Sequence, residues 1–202
     1  KLLGVVNTLM PSGRGEYRQW VGANTDIHGI TEALGEGGCS AATRGVVLGG
    51  GATAASAVAA LGALGVKQPA VVVRSRSRAG GLVRAATKMG LSPRLVAWDD
   101  PAVVSALADA DAVVSTVPAD AGEGVGERLA AAGVTVRGVL LDVVYKPRVS
   151  PLALRWKEAS GTAVDGTRML LHQAGEQVRL MTGKPAPLSA MEAGMTAVLN
   201  NS

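Results

Sequence analysis

Residues 44–58 constrain the fold of this chain more than any other stretch. Three apolar residues at 46–48 precede a glycine cluster, and an alanine-rich segment follows it. This order predicts a buried strand, a tight turn and a helix, with G-x-G-x-x-A spacing over Gly49, Gly51 and Ala54. Free N–H groups at the start of such a helix, with the positive end of its dipole, suit a pyrophosphate. An ordinary strand-to-helix turn is the alternative interpretation of these glycines.

Beyond residue 44, short apolar runs alternate with helical patterns. The runs are nearly continuous, as expected for parallel strands that helices cover on both faces. We therefore predict an α/β fold with a doubly wound parallel sheet and right-handed connections. The predicted strands are residues 45–48, 70–73, 94–97, 112–116, 139–143 and 162–164, and the predicted helices are residues 52–64, 81–89, 102–108, 123–132, 151–160, 167–181 and 189–199.

The first 43 residues have a different pattern. Turn-forming residues at 11–15 predict a hairpin that returns through residues 17–21. Thr25 or Asp26 is placed to cap a helix that runs to about Glu36, where glycines end it. We expect a domain boundary between Asp26 and Arg44.

Composition limits the class of protein. The chain has 202 residues, of which 48% are hydrophobic, and no apolar run approaches the ~20 residues that a membrane helix needs. We expect no membrane partner and a cytoplasmic location. Its single cysteine, Cys39, excludes an internal disulfide, and two histidines form no ligand cluster for a metal.

The net charge of +4 favours anionic partners. Aromatic residues make up only 2% of the chain, which leaves little to stack nucleic-acid bases, so we expect no nucleic-acid partner. A solvated basic edge is the simpler interpretation of the arginines at 74, 76, 78 and 84.

The residues after the second strand of the sheet indicate which dinucleotide binds. An acidic residue about 20 positions after the glycines bonds the ribose hydroxyls when the cofactor is NAD. Here the strand is followed by Arg74, Ser75 and Arg76, and no carboxylate is present. Arginine can make a bidentate, charge-assisted contact with a 2′-phosphate, and serine adds a donor. The sequence therefore predicts NADP as the cofactor.

Eight motifs together resemble the shikimate dehydrogenases, which reduce 3-dehydroshikimate with NADPH on the way to the aromatic amino acids. The resemblance covers nearly all of residues 4–200 and implies a Rossmann-type NADP-binding domain. The motifs, in the order found in the family, are Gly4-Val-Val-Asn-Thr8, Gly22-Ala-Asn-Thr-Asp26, Gly49-Gly-Gly-Ala52, Arg74-Ser75, Ser115-Thr-Val-Pro118, Asp142-Val-Val-Tyr-Lys-Pro147 with Ser150-Pro-Leu152, Asp165-Gly166 and Met169-Leu-Leu-His-Gln-Ala174.

The resemblance implies roles for individual residues. Asp26 matches the carboxylate that pairs with a lysine as the catalytic dyad and also contacts substrate. The other implied substrate-binding residues are Asn7, Gln173 and Tyr145. The implied cofactor-binding residues are Gly49, Gly50, Gly51, Ala52, Arg74, Ser75, Arg78, Thr116, Val117, Val143, Gly166 and Met169.

Each substrate-binding assignment has a structural alternative. Asp26 alone could be a plain helix cap, and Asn7 could be a turn-stabilising asparagine. Gln173 could be an exposed helical glutamine, and Tyr145 could be a buried tyrosine at a strand end.

The resemblance also implies the domain organisation. We assign residues 1–25 to a remnant of an α/β substrate domain, 26–43 to an inter-domain helix and connector, 44–182 to the NADP-binding domain, and 183–202 to a C-terminal helix that packs back towards the substrate domain. The family lysine precedes the first motif, so we interpret the chain as N-terminally truncated and expect it to bind NADP(H) without turnover. The expected partner is a small-molecule substrate, and the sequence leaves open whether the protein forms a homodimer.

One departure from the family pattern concerns the cofactor. Arg168 stands where the family often has a glycine facing the nicotinamide ribose, which predicts a crowded fit. Two alternatives to an NADP-dependent enzyme are an NAD-dependent quinate/shikimate dehydrogenase and a non-catalytic NADP-binding sensor.

Overall fold

The computed structural model describes residues 4–13, 15–147 and 149–200. A two-stranded antiparallel sheet comes first, and a six-stranded parallel sheet flanked by helices follows. The strands are β1 (Thr8–Ser12), β2 (Gln19–Ala23), β3 (Gly45–Leu48), β4 (Ala70–Val73), β5 (Arg94–Ala97), β6 (Ala112–Ser115), β7 (Val139–Asp142) and β8 (Thr162–Asp165). The helices are α1 (Asp26–Glu36), α2 (Ala52–Ala63), α3 (Gly80–Lys88), α4 (Ala102–Ala108), α5 (Ala119–Ala132), α6 (Pro151–Glu158), α7 (Gly166–Thr182) and α8 (Leu188–Asn200).

The large sheet has the strand order β5-β4-β3-β6-β7-β8, and all its neighbouring strands are parallel. The chain begins in the middle at β3, moves out to β5, and then returns to the other side of β3 with β6. Ligands of such sheets bind at the carboxyl ends of the strands where this reversal occurs. The doubly wound parallel sheet predicted from the sequence is confirmed.

The core has two layers, one on each face of the sheet. Side chains of a strand alternate between faces, so Val47 packs on the side of α1, α2 and α3 while its neighbour Leu48 packs on the side of α4, α5 and α6. In the second layer Trp156 is fully buried, and its indole Nε1 donates to Gly138 O at 3.1 Å. The sheet is therefore covered on both faces, as the continuous apolar runs predicted.

Several element boundaries differ from the prediction, including those of β1 and α5. Pro11 lies inside β1, opposite Trp20, and not in the hairpin turn. A two-stranded sheet accepts it because each strand has an unpaired edge, where the missing N–H of proline removes no ladder bond. Helix α5 begins at Ala119, ahead of the predicted start at residue 123. A Cβ on Gly126 of this helix would lie 2.9 Å from Arg155 Cγ, so glycine is needed there for α5 to approach α6.

Helix α1 contributes to the core beside the large sheet. Ile30, Ala33 and Leu34 are fully buried against it. Helix α8, in contrast, has no buried residue and contacts α7. Within the described ranges, no helix is long and apolar enough to cross a membrane.

Candidate active site

The glycine-rich loop joins β3 to α2 at the reversal point of the sheet. Gly49 has a φ of +114°, and its N–H donates to Val72 O at 2.9 Å. A Cβ at this position would collide with Thr116 Oγ1, which itself donates to Leu48 O at 2.8 Å. Only glycine satisfies both conditions. The N-cap of α2 is Gly51, which has no side chain to occupy the first N–H groups of the helix.

A cavity of about 390 Å³ lies against this loop. Eight of the residues implied for cofactor binding line it: Gly49, Gly50, Gly51, Arg74, Ser75, Arg78, Thr116 and Val117. Trp98, which the sequence did not single out, lines it as well. An adjoining cavity of about 440 Å³ includes Ala52 and shares Gly50, Gly51 and Arg78 with the first.

The lining of both cavities is positively charged. Arg74 and Arg78 line the first cavity, and Arg84 and Lys88 line the second together with Arg78. No acidic side chain of the described residues lines either cavity. Together with the N-terminus of α2, this charge suits a ligand that carries phosphate groups.

A cluster of polar side chains forms a second part of the site. Asn7 Nδ2 lies within hydrogen-bond distance of Thr25 Oγ1 (3.0 Å), Asp26 Oδ1 (2.8 Å) and Gln173 Oε1 (3.2 Å). The N–H of Thr25 donates to Asn7 Oδ1 at 3.0 Å. These residues come from the start of the hairpin, the start of α1 and the middle of α7. The fold therefore brings together three of the four residues implied for substrate binding.

Asp26 is the first residue of α1, and its carboxylate accepts hydrogen bonds from other segments. The N-cap residue is Thr25, and it makes no side-chain cap bond. The N–H of Asp26 donates to Asn24 Oδ1 at 3.0 Å, while its carboxylate accepts from Asn7 and, at 3.4 Å, from Ser56 Oγ. Thr25, and not Asp26, therefore occupies the N-cap position of α1, and the Asp26 side chain faces the polar cluster.

Gln173 reaches Asn7 because α1 and α7 approach closely at Gly29. A Cβ on Gly29 would lie 2.7 Å from Met169 O and 3.0 Å from Gln173 Cβ. No pattern in the sequence marks this glycine as a contact point, although it lies on α1 one turn after Asp26. Ser56 gives no signal either, because it lies in an alanine-rich segment that indicates no polar role.

Four of the implied residues lie outside this arrangement. Tyr145 is 47% exposed, so the buried strand-end alternative is wrong, and Val143 is half-buried against the core. Gly166 packs against the backbone carbonyl groups that follow β7. Met169 is buried in the core. Within the described residues, none of these four lines the two cavities at the glycine-rich loop.

Buried hydrogen bonds hold the segment that carries Tyr145. Asp142, at the end of β7, is 2% exposed and accepts from Ser150 Oγ at 2.6 Å. Ser150 in turn caps α6 by accepting from the N–H of Ala153 at 3.1 Å. Burial raises the pKa of the Asp142 carboxyl group, and the Ser150 hydroxyl opposes that shift. The Ser115 hydroxyl on β6 lies against the same group but makes no hydrogen bond of good geometry.

Arg168, at the position for which a crowded nicotinamide ribose is predicted, bonds acidic side chains of two other helices. Its guanidinium group bonds Glu36 on α1 at 2.6 Å and also bonds Glu192 on α8. His172 Nε2 lies 2.8 Å from the same Glu36 carboxylate. The hydrogen bond from Arg168, supported by His172, lowers the pKa of Glu36 to about 2. Arg168 thus joins three helices and does not line either cavity at the glycine-rich loop.

Comparison with known proteins gives relatives across most of the chain. The family model described as the Shikimate 5'-dehydrogenase C-terminal domain matches residues 166–193. A shikimate dehydrogenase (NADP(+)) of Thermosynechococcus vestitus is 34% identical over 205 residues, which span 98% of this chain and 68% of the relative.

Solved structures agree with these relatives. The Mycobacterium tuberculosis shikimate dehydrogenase is 41% identical with a TM-score of 0.82, covering 97% of this chain and 69% of that one. A quinate dehydrogenase of Corynebacterium glutamicum, solved in complex with NAD, is 26% identical with a TM-score of 0.76, covering 97% of this chain and 69% of that one.

Proposed function

The chain belongs to the shikimate dehydrogenase family, and on that premise we propose that it serves the NADPH-dependent, reversible reduction of 3-dehydroshikimate to shikimate, in which Asp26 and the family lysine form the catalytic dyad. The observation that carries the proposal is the convergence of Asn7, Asp26 and Gln173. The Asn7 carboxamide lies within 3.2 Å of both the Asp26 carboxylate and the Gln173 carboxamide, and together these groups offer donors and acceptors to a polyol. The cluster is joined to the alanine-rich helix α2 through Ser56.

The residues at the glycine-rich loop fit a dinucleotide. The absent side chain at Gly51 leaves the first turn of α2 open, where no heavy atom lies within 4 Å of an added Cβ. A pyrophosphate held there would meet the positive end of the helix dipole. Gly49, Thr116 and Val117 line the cavity and would contact the bound dinucleotide. Trp98 lines the same cavity with an apolar side chain. When bound, the nicotinamide ring supplies the hydride.

The specificity for NADP is assigned to Arg74, Ser75 and Arg78. They follow β4, and no carboxylate is present there to accept from the ribose hydroxyls of NAD. Arginine forms charge-assisted bonds with a 2′-phosphate. The shikimate dehydrogenase (NADP(+)) relative supports this choice, whereas the quinate dehydrogenase in complex with NAD represents the alternative.

The polar cluster would orient the substrate and position the group that donates the proton. Reduction of a ketone places charge on the carbonyl oxygen, and a proton donor within hydrogen-bond reach of that oxygen must neutralise it. Asp26 would hold a substrate hydroxyl and the ammonium group of the family lysine together. Asn7 occupies one lone pair of Oδ1 and leaves others for these partners. In the described part of the chain, no lysine forms an ion pair with Asp26.

Binding titrations on the protein test this proposal. Quenching of tryptophan fluorescence should show that NADPH binds more tightly than NADH, and calorimetry should show that shikimate binds. Asp26→Asn should weaken shikimate binding by about 10-fold to 100-fold, the value of a charged hydrogen bond, without changing NADPH affinity. The exposed Asp109 serves as the control, because Asp109→Asn should change neither affinity.

The alternatives give different results. Tighter binding of NADH than NADPH, with quinate preferred to shikimate, would favour the NAD-dependent enzyme. NADPH binding without any shikimate binding would favour the sensor. Equal shikimate affinity in the wild type and in Asp26→Asn would remove Asp26 from the proposed site.

A further inference from the structure

Ser56 is a buried hydroxyl group at the junction of two parts of the site. It lies on α2, one turn after Ala52, and is 0% exposed. Its Oγ lies 3.1 Å from Asn24 Nδ2, 3.4 Å from Asp26 Oδ2 and 3.5 Å from Ala52 O. Ser56 Oγ is therefore close to the first residue of α2, which follows the glycine-rich loop, and also to the Asp26 carboxylate of the polar cluster.

The donor and acceptor capacity of these groups limits how they can bond. The carboxamide nitrogen of Asn24 can only donate, so Ser56 Oγ must accept that bond. Ser56 then has one proton and two acceptors for it, the Asp26 carboxylate and the Ala52 carbonyl. The distances from Ser56 Oγ to Asp26 Oδ2 (3.4 Å) and to Ala52 O (3.5 Å) differ by little. The carboxylate is the stronger acceptor because it is charged. The hydroxyl proton can therefore move from one acceptor to the other after a small shift of the first turn of α2.

That first turn is where the dinucleotide phosphates would bind. Ala52 is the first residue of α2 and lines the cavity beside Gly50 and Gly51. Anything that repositions this turn changes the distance from Ser56 Oγ to Ala52 O, and so changes the competition for the hydroxyl proton.

Asn24 fixes the other end of the link. Its Oδ1 accepts from the N–H of Asp26 at 3.0 Å, and its Nδ2 donates to Val5 O at 3.2 Å as well as to Ser56. The backbone of Asp26 is thereby held while its carboxylate remains free to respond. The response would appear at Oδ2, because Oδ1 is held by Asn7.

We propose that Ser56 is a positioning residue that couples the dinucleotide site to Asp26: cofactor binding at the start of α2 changes the hydrogen bond that Ser56 gives to the Asp26 carboxylate. This inference rests on the proposed function, since it takes NADP as the ligand of the glycine-rich loop. It adds a residue whose role the alanine-rich sequence of α2 does not indicate.

Nuclear magnetic resonance of the protein tests the coupling. The carboxyl carbon of Asp26 and the side-chain amide of Asn24 are observed before and after addition of NADP⁺, in the wild type and in Ser56→Ala. Both resonances should shift with NADP⁺ in the wild type, and the shift should be lost in Ser56→Ala although this variant stays folded and still binds NADP⁺. Alanine favours helix, so this variant keeps the fold.

Ser105→Ala is the matched control. Ser105 lies on α4, and its hydroxyl also donates to its own helix, to Ala102 O at 3.1 Å. The NADP⁺-induced shifts should persist in this variant. Persistence of the shifts in Ser56→Ala, or their absence in a wild type that binds NADP⁺, would overturn the inference.

A failure of the proposed function gives a separate result. If NADP⁺ does not bind, the proposed cofactor is wrong, and the spectra of the free proteins still test the link. An Asp26 carboxyl resonance that is identical in the free wild type and in free Ser56→Ala would then overturn the role of Ser56.

Discussion

Gln173 Oε1 accepts a hydrogen bond of 3.2 Å from Asn7 Nδ2, although 166 positions separate the two residues in the sequence. The bond depends on the crossing of α1 and α7, which Gly29 permits because a Cβ there would lie 2.7 Å from Met169 O. The neighbour is backbone, so it cannot move aside as a flexible side chain would.

Gly29→Ala should therefore push α7 away from α1, lower the melting temperature and weaken shikimate binding. Gly35→Ala is the control on the same helix, because a Cβ at Gly35 meets no atom within 4 Å. Helix propensity favours alanine over glycine by about 1 kcal/mol, so the control should be neutral or stabilised. Thermal unfolding and calorimetry measure both effects. Equal stability of the two variants would contradict the close approach.

Arg74 should discriminate between the two dinucleotides. Arg74→Ala removes a charged donor to the 2′-phosphate, so NADP⁺ affinity should fall by about 10-fold to 100-fold while NAD⁺ affinity stays constant. Arg78 lines the same cavity, and its partial compensation places the expected loss at the lower end. Arg94→Ala is the control, since Arg94 is exposed at the amino end of β5. Equal losses of NADP⁺ and NAD⁺ affinity would mean that Arg74 does not contact the 2′-phosphate.

Asp142 should make stability depend on pH. Burial raises the pKa of its carboxyl group in the folded protein above the unfolded value of 3.8. Its stabilising contribution is therefore complete below pH 3.8 and is lost as the pH rises through the folded pKa. Relative to the wild type, Asp142→Asn should gain stability as the pH is raised from 4 to 8, in urea unfolding experiments. A constant difference between the two proteins over this range would contradict the buried, protonatable carboxyl group.

Glu36 should give the opposite dependence. Its folded pKa is about 2, below the unfolded value of 4.5, chiefly because of the hydrogen bond from Arg168. Its contribution is present above pH 4.5 and is lost as the pH falls through about 2. Glu36→Gln should lower the melting temperature at pH 7, and the difference should shrink towards pH 2.

Glu158→Gln is the control for Glu36. Glu158 pairs with Arg155 at 2.8 Å on an exposed helix surface, where an ion pair contributes little to stability. This variant should melt close to the wild type at pH 7. A melting temperature of Glu36→Gln equal to that of the wild type at pH 7 would show that the Arg168 network is not stabilising.

The sequence by itself determined the elements of the large sheet and their type. The strands at 45–48, 70–73 and 94–97 were placed at the residues where the structure has them. Apolar periodicity and the left-handed conformation of Gly49 are local properties, which short stretches of sequence specify. The position of Arg74 directly after β4 is also clear from the sequence, because it follows once the strand has been identified.

Only the tertiary structure decided which side chains meet. The partners of Arg168 are Glu36 and Glu192, on helices distant in sequence, so the local pattern around Arg168 does not indicate them. Ser56 and Asp26 approach because α1 packs beside α2, and Gln173 meets Asn7 because α1 crosses α7. Helix crossings and rotamers set these distances within a few tenths of an ångström, and both depend on packing between segments far apart in the chain.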